Sequence, residues 1–260
     1  VHPAARRGRR ALDEAAFEVA AVELEDATRA RPSETSYWID LGRAHVGRGD
    51  PAEAARAFEA ACRLERDSAR MWIYLGHARE LGREYELAQA AYRRAVEVEP
   101  HRAWPWRVFG ARLLRWGRAE EAVMPLERAL TLDPDHVETH NALAMALAQA
   151  GREADAEAVL RRAVARFKGE RRLWLGLAVL VAQRGELEQA LEVYAEIGRR
   201  WPDFAQVHAG RAILLLQLGR RDEAREAMAE ASRLSPTAVR GRLPDPSEKG
   251  PGGEVLNSAR

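Results

Sequence analysis

Residues Trp72–Ala78 read WIYLGHA, and the segment returns: WIDLGRA runs from Trp38 to Ala44 and WRVFGAR from Trp106 to Arg112, each displaced by 34 residues. With Thr35 as position 1 of a 34-residue unit, later units begin at Ala69, Ala103, Val137, Arg171 and Ala205. Position 4 is then Trp38, Trp72, Trp106, His140, Trp174 and His208. Position 8 is small (Gly42, Gly76, Gly110, Ala144, Ala178, Ala212), and position 20 is Ala in every unit, from Ala54 to Ala224. Position 24 is large: Phe58, Tyr92, Leu126, Leu160, Tyr194 and Met228. Position 32 is Pro100, Pro134, Pro202 and Pro236, with Arg66 and Lys168 in the other two units. An uninterrupted period of this length marks a repeat array.

Each unit reads as two helices. Positions 4, 7, 8 and 11 share one face of the first, and positions 20, 24 and 27 share one face of the second. A Gly near position 15 ends the first helix (Gly49, Gly117, Gly151, Gly185 and Gly219, with Gly82 one place early). The position-32 Pro cannot continue the second helix. Small residues at 8, 20 and 27 let helices approach, and the aromatic residues at 4 and 24 fill the remaining space. Neither helix can bury its stripe alone, whereas stacked units can. Four of the seven tryptophans occupy position 4 and read as packing residues.

These residues resemble the tetratricopeptide repeat family from Thr35 to Pro236, in six whole units. The resemblance implies an all-α fold, a right-handed α-solenoid of helix-turn-helix repeats whose first helices line a concave groove. Ala20, Leu24, Ala27 and Pro32 fit the second half of a preceding unit. Residues 1–34 are therefore expected to hold a basic segment and a half repeat, its helix starting near Ala11. Residues 1–10 are too rich in Arg and Gly to promise a partner helix, so Phe17, Val19, Val22 and Leu24 would leave an apolar face uncovered. Such a face points to an absent upstream helix, to self-association or to a partner site. Residues 237–260, rich in Pro, Gly and charge, read as a disordered tail or linker.

The composition offers little for chemistry. Apolar residues make up 47% and charged residues 31%, and the net charge of +1 supplies no field to draw in nucleic acid. Direct membrane insertion is not expected, because the apolar runs are far shorter than a span. Of 41 basic residues only Lys168 and Lys249 are lysines, a bias that fits a GC-rich, bacterial coding sequence. Cys62 is the one cysteine and shares position 28 with Val96, Leu130 and Val164, so it reads as a buried thiol. The HVETH segment sets His136 and His140 four apart, yet no third ligand stands at zinc spacing and His140 occupies the Trp position. No phosphate loop or nucleophile motif appears, so no catalytic residue, metal or cofactor is expected.

In the family the groove is lined by positions 2, 5, 6, 9, 12 and 13 of the first helix. By that resemblance the partner-binding residues are Arg43, Arg70, Tyr74, His77, Trp104, Arg107, Arg115, Asn141 and Met145. Together with Leu175, Val179, Ile213 and Leu216 they predict a groove that is basic and aromatic first and apolar later. Trp104 stands out, because position 2 should put it at the groove beside Arg70 and Arg107. The family's clamp for a C-terminal carboxylate is not matched: the corresponding places hold Ile39, Arg43, Tyr74, Trp104 and Val108.

The expected function is a non-enzymatic protein–protein interaction scaffold that takes a peptide segment or partner protein in the groove. The alternative is the repeat region of a larger protein whose catalytic or membrane domain lies elsewhere. Nucleic acid is a weaker third reading, since the strict 34-residue unit lacks the 35-residue period of RNA-reading helical repeats. The cytoplasm is the favoured compartment, with the periplasm the alternative had a signal been removed.

Overall fold

A computed structural model describes residues 2–235, all of whose regular structure is helical. First helices are α1 (Pro3–Asp13), α3 (Thr35–Arg48), α5 (Ala69–Leu81), α7 (Ala103–Arg115), α9 (Val137–Gln149), α11 (Arg171–Gln183) and α13 (Ala205–Gln217). Second helices are α2 (Phe17–Ala30), α4 (Pro51–Leu64), α6 (Tyr85–Val98), α8 (Ala119–Leu132), α10 (Glu153–Arg166), α12 (Leu187–Arg200) and α14 (Arg221–Leu234). The second helices start 34 residues apart without exception. The chain divides into two compact units, Val1–Arg152 and Glu153–Arg260. The expected tail at 237–260 lies outside the described residues.

The unit period is built on a close approach between positions 8 and 24. A Cβ on Gly42 would stand 2.5 Å from the Phe58 ring, on Gly76 2.9 Å from Tyr92, and on Gly110 2.6 Å from Leu126. The large residue thus lies against the bare backbone of the first helix, and the helix pair closes over it. Phe58, Met71 and Leu75 form one buried cluster with Ala54, Ala61 and Cys62, against which Trp38 and Trp72 both pack. Burial pushes the Cys62 thiol up to about 12, so it stays protonated.

The position-4 residue does more than fill space. The indole N–H of Trp38 donates to the Pro32 carbonyl at 2.8 Å, that of Trp72 to Arg66 at 2.9 Å, and that of Trp106 to Pro100 at 3.0 Å. His140 Nε2 makes the same bond to the Pro134 carbonyl at 2.9 Å. Each of these four rings ties a first helix to the carbonyl six residues earlier, where the preceding helix has ended; Trp174 is the exception, its indole nitrogen buried without a partner. A histidine can replace tryptophan because the shared requirement is a ring N–H at the right reach. The expectation that HVETH holds a metal poorly gains a physical reason: His140 is committed to Pro134, and His136 Nδ1 lies 2.9 Å from Thr139 Oγ1.

Residues 1–10 do form a partner helix, which corrects the reading of residues 1–34 as a half repeat. α1 buries Ala4, Ala5, Gly8 and Ala11 and turns Arg6, Arg7 and Arg10 outward. A Cβ on Gly8 would meet Leu24 at 2.6 Å, the same contact between positions 8 and 24 one unit earlier. The helix reading from Ala11 is corrected too, because the chain turns at Glu14–Ala16 before α2 starts at Phe17. Small residues, rather than apolar bulk, make this helix dock. Val19 and Val22 remain 56% and 61% exposed on the outer side of α2.

The turn explains an irregularity. Ala15, Gly49, Arg83, Gly117, Gly151, Gly185 and Gly219 recur every 34 residues, and all have positive φ. In every unit the N–H after this residue returns to the carbonyl at position 11, as Glu84 does to Arg79 at 2.9 Å and Ala16 to Ala11 at 2.8 Å. Gly82 is not the left-handed residue; Arg83 is, with φ 61°. A side chain there costs roughly 1–2 kcal/mol that glycine avoids. Arg83→Gly is expected to stabilise the protein by about 1 kcal/mol after the added unfolded-state entropy of Gly is offset, read as a higher urea midpoint with unchanged slope.

Two repeats carry a polar residue at the core position 11: His45 and Arg79, where Leu113, Leu147, Val181 and Leu215 stand elsewhere. Arg79 pairs with Glu59 and Glu84. His45 is 5% exposed, and its Nδ1 has no hydrogen-bond partner. Burial, with Arg48 adding, holds the His45 pKa below its ordinary 6.5, and burial with Arg112 does the same for His77. The folded state therefore binds fewer protons than the unfolded one as acid is added. Their contribution is fully present above about pH 6.5 and is lost as pH falls through the lower folded values. His45→Leu should flatten the loss of stability between about pH 7 and 5.5 in paired melts; an unchanged slope would contradict the assignment.

Candidate functional groove

First helices lie side by side in the unit Val1–Arg152: α1 touches α3, α5 touches α7, and α7 touches α9. Side chains at positions 2, 5, 6, 9, 12 and 13 therefore stand on a row of parallel first helices. At its start, Arg9, Leu12, Asp13, Ser36, Ile39, Asp40 and Arg43 line a cavity of about 390 Å³ between α1 and α3. Asp40 is buried there and accepts from Arg9 Nε at 2.5 Å, while Arg9 Nη2 donates to Ser36 Oγ at 3.0 Å. Arg43, 3.5 Å from the same carboxylate, is left exposed with most of its donors unused. Arg9 and Asp40 are groove residues that sequence reasoning missed. The signal was the register, which puts Arg9 at position 9 of the first unit.

Along α5 and α7 the pattern repeats with other residues. Arg70 is exposed and has no ionic partner among the described residues. Tyr74 is half-buried and stacks on Phe58 with ring centroids 5.3 Å apart, so only part of its ring faces the groove. Arg115 approaches Glu80 only to 3.7 Å and Arg112 to 3.6 Å. The Glu80 side chain, 9% exposed, already accepts from Tyr92 Oη and Trp116 Nε1, both at 3.1 Å. His77 lies among these charges, half-buried and held neutral. Glu80 and Arg112 were also missed, because the partners of Glu80 come from the following second helix and the next repeat and no local motif joins them.

Arg107 stands 3.6 Å from Asp133. Trp104 is half-buried, and its indole N–H finds no acceptor among the described residues, unlike those of Trp38, Trp72 and Trp106. On α9, Asn141 Nδ2 and Met145 Sδ are 3.8 Å apart, and Met145 is exposed. In the unit Glu153–Arg260, Val179 and Ile213 are exposed apolar residues of first helices.

Some arginines away from the groove are closely paired: Arg7 with Glu23 at 2.7 Å, Arg29 with Asp26 at 2.5 Å, Arg56 with Glu53 and Arg118 with Glu121 at 2.6 Å. Others there, among them Arg63 and Arg93, are exposed without an ion pair among the described residues, and Arg9 in the groove is held by Asp40. Arg43, Arg107 and Arg115 stand 3.5, 3.6 and 3.7 Å from their nearest carboxylates. A guanidinium has five donors, so these groups retain capacity for an incoming acceptor. Among the described residues no set of three or more His, Cys, Asp or Glu is arranged to hold a metal, and no helix is long and apolar enough to cross a membrane.

Two tetratricopeptide repeat profiles match the chain, one over residues 5–64 and 39–105, the other over 113–180, 147–213 and 181–240. No curated protein matches. Among solved structures, the C-terminal part of a TPR repeat-containing protein from Cytophaga hutchinsonii superposes with a TM-score of 0.70 at 13% identity, over 89% of this chain and 95% of that one. The PilF protein of Pseudomonas aeruginosa gives 0.56 at 22% identity, over 78% and 92%. YrrB, a TPR protein with an unusual peptide-binding site, gives 0.51 at 22% identity, over 70% and 94%. With the repeat register present from α1 onward, the chain belongs to the tetratricopeptide repeat family, is of the all-α solenoid class, and is a protein-interaction scaffold.

Proposed function

We propose that the chain binds an extended peptide segment of a partner protein along its first helices, with acidic residues of the ligand on Arg43, Arg70, Arg107 and Arg115 and an apolar or aromatic residue on Trp104. The supporting observation is that these arginines, with loose carboxylate neighbours or none, share a row of first helices with a Trp104 indole that has no acceptor among the described residues. Recruiting a ligand carboxylate there breaks no good ion pair. Trp104 adds a half-buried ring with a free N–H donor, the kind of rigid anchor on which binding energy concentrates. Asn141 and Met145 continue the row with a polar and an adaptable apolar contact. In this reading the protein positions its ligand and does no chemistry on it.

Binding should favour peptides that combine Asp or Glu with Leu, Phe or Trp, and should weaken with salt, because the contacting charges are solvent-accessible. In fluorescence anisotropy against an acidic–apolar peptide library, Arg107→Ala is expected to lower affinity about tenfold, the loss of one charge-assisted hydrogen-bonding partner. Trp104→Ala is expected to lower it about thirtyfold. Unchanged circular dichroism in both variants would separate recognition from folding. Preference for basic peptides, or indifference to both substitutions, would overturn the reading.

A further inference from the structure

A second concavity lies where α2 and α4 flank α3, a cleft of about 760 Å³ whose apolar lining is Pro32, Trp38, Leu41, Ala57 and Ala60. Two buried polar residues also line it, His45 and Thr28. Thr28 donates its hydroxyl proton to the Glu25 carbonyl at 2.9 Å, which leaves its oxygen as an acceptor. His45 Nδ1 is enclosed without a partner, so Nε2 is the ring nitrogen available to the cleft. Since an enclosed lone pair costs less than an enclosed unpaired N–H, the proton belongs on Nε2, facing outward as a donor.

The rim selects against charge. Arg29 is held by Asp26 at 2.5 Å, Arg56 by Glu53 at 2.6 Å, and Glu59 is paired with Arg79. Glu25 and Arg63, the remaining rim charges, are opposite in sign. A neutral ligand group is therefore favoured. One donor and one acceptor above an aromatic and aliphatic floor match a hydroxyl on a ring, because a hydroxyl accepts one bond and donates another. Four other repeats place an aliphatic residue where His45 stands, so histidine is not required for packing. The volume exceeds a single ring, which favours a chain segment over a free phenol.

We propose that this cleft binds a segment of a partner protein that inserts a tyrosine, its ring on Trp38 and Leu41 and its hydroxyl accepting from His45 Nε2 and donating to Thr28 Oγ1. The site shares no lining residue with the groove, being built from α2, the core-facing side of α3 and α4, and does not depend on the groove's arginines.

The test uses the full chain, isotope-labelled, titrated with acetyl-Gly-Tyr-Gly-amide, with its Phe counterpart and with p-cresol. The expected result is a saturable shift of the Trp38 indole N–H, with the Tyr peptide bound about fivefold more tightly than the Phe peptide, as one added hydrogen bond requires. His45→Leu, which installs the residue found at this position in other repeats, and the near-isosteric Thr28→Val should each abolish that preference while the Phe peptide still binds. Absence of a saturable shift, or a Tyr preference that survives both substitutions, would overturn the site. Binding of p-cresol as tight as that of the Tyr peptide would overturn the assignment to a chain segment.

Discussion

The contact on which the molecule depends is the one between a small first-helix residue at position 8, glycine or alanine, and a large side chain at position 24. Where a glycine sits opposite Phe58, Tyr92 or Leu126, a single added methyl group would collide with the ring or branch. That contact fixes the separation of the two helices, and their separation fixes which residues of the first helix turn away from the core. Positions 2, 5, 6, 9, 12 and 13 are left on the far side, where Arg43, Arg107 and Arg115 reach carboxylates only at 3.5 to 3.7 Å.

Much of this was legible in the sequence, because the signal recurs. Both helices of the units from Thr35 onward, the small residues at 8 and 20 and the turn near 15 follow from one period. The first repeat was misread because its composition was weighed before its register. Ala4, Ala5, Gly8 and Ala11 look like a weak apolar stripe, yet small size is what docking against Leu24 demands. Histidine at position 4 was legible only as an exception. Its bond runs to a backbone carbonyl, which has no letter in the sequence.

The candidate sites were legible in proportion to how local they are. Trp104 and Arg107 stand out from one helix, and the structure keeps Trp104 free of a hydrogen-bond acceptor. Glu80 was invisible as a groove residue because its ligands, Tyr92, Trp116, Arg112 and Arg115, come from the next second helix and the next repeat. The same holds for Asp40, whose main partner is Arg9. Buried carboxylates in the row limit its positive charge, so recognition there depends on the spacing of unoccupied donors more than on net field. The cleft at His45 lies at the other extreme: a position-11 exception in sequence, a lined cavity in three dimensions.

The most direct test of recognition by the first-helix row is to follow indole N–H and arginine Nε–H resonances while an acidic, leucine-containing peptide is added. The account predicts that Trp104, Arg107 and Arg115 shift together and saturate at one affinity, while the Trp38, Trp72 and Trp106 indoles, bound to backbone carbonyls, stay in place. Shifts confined to the outer arginines such as Arg29, Arg56 and Arg118, with Trp104 unmoved, would contradict it.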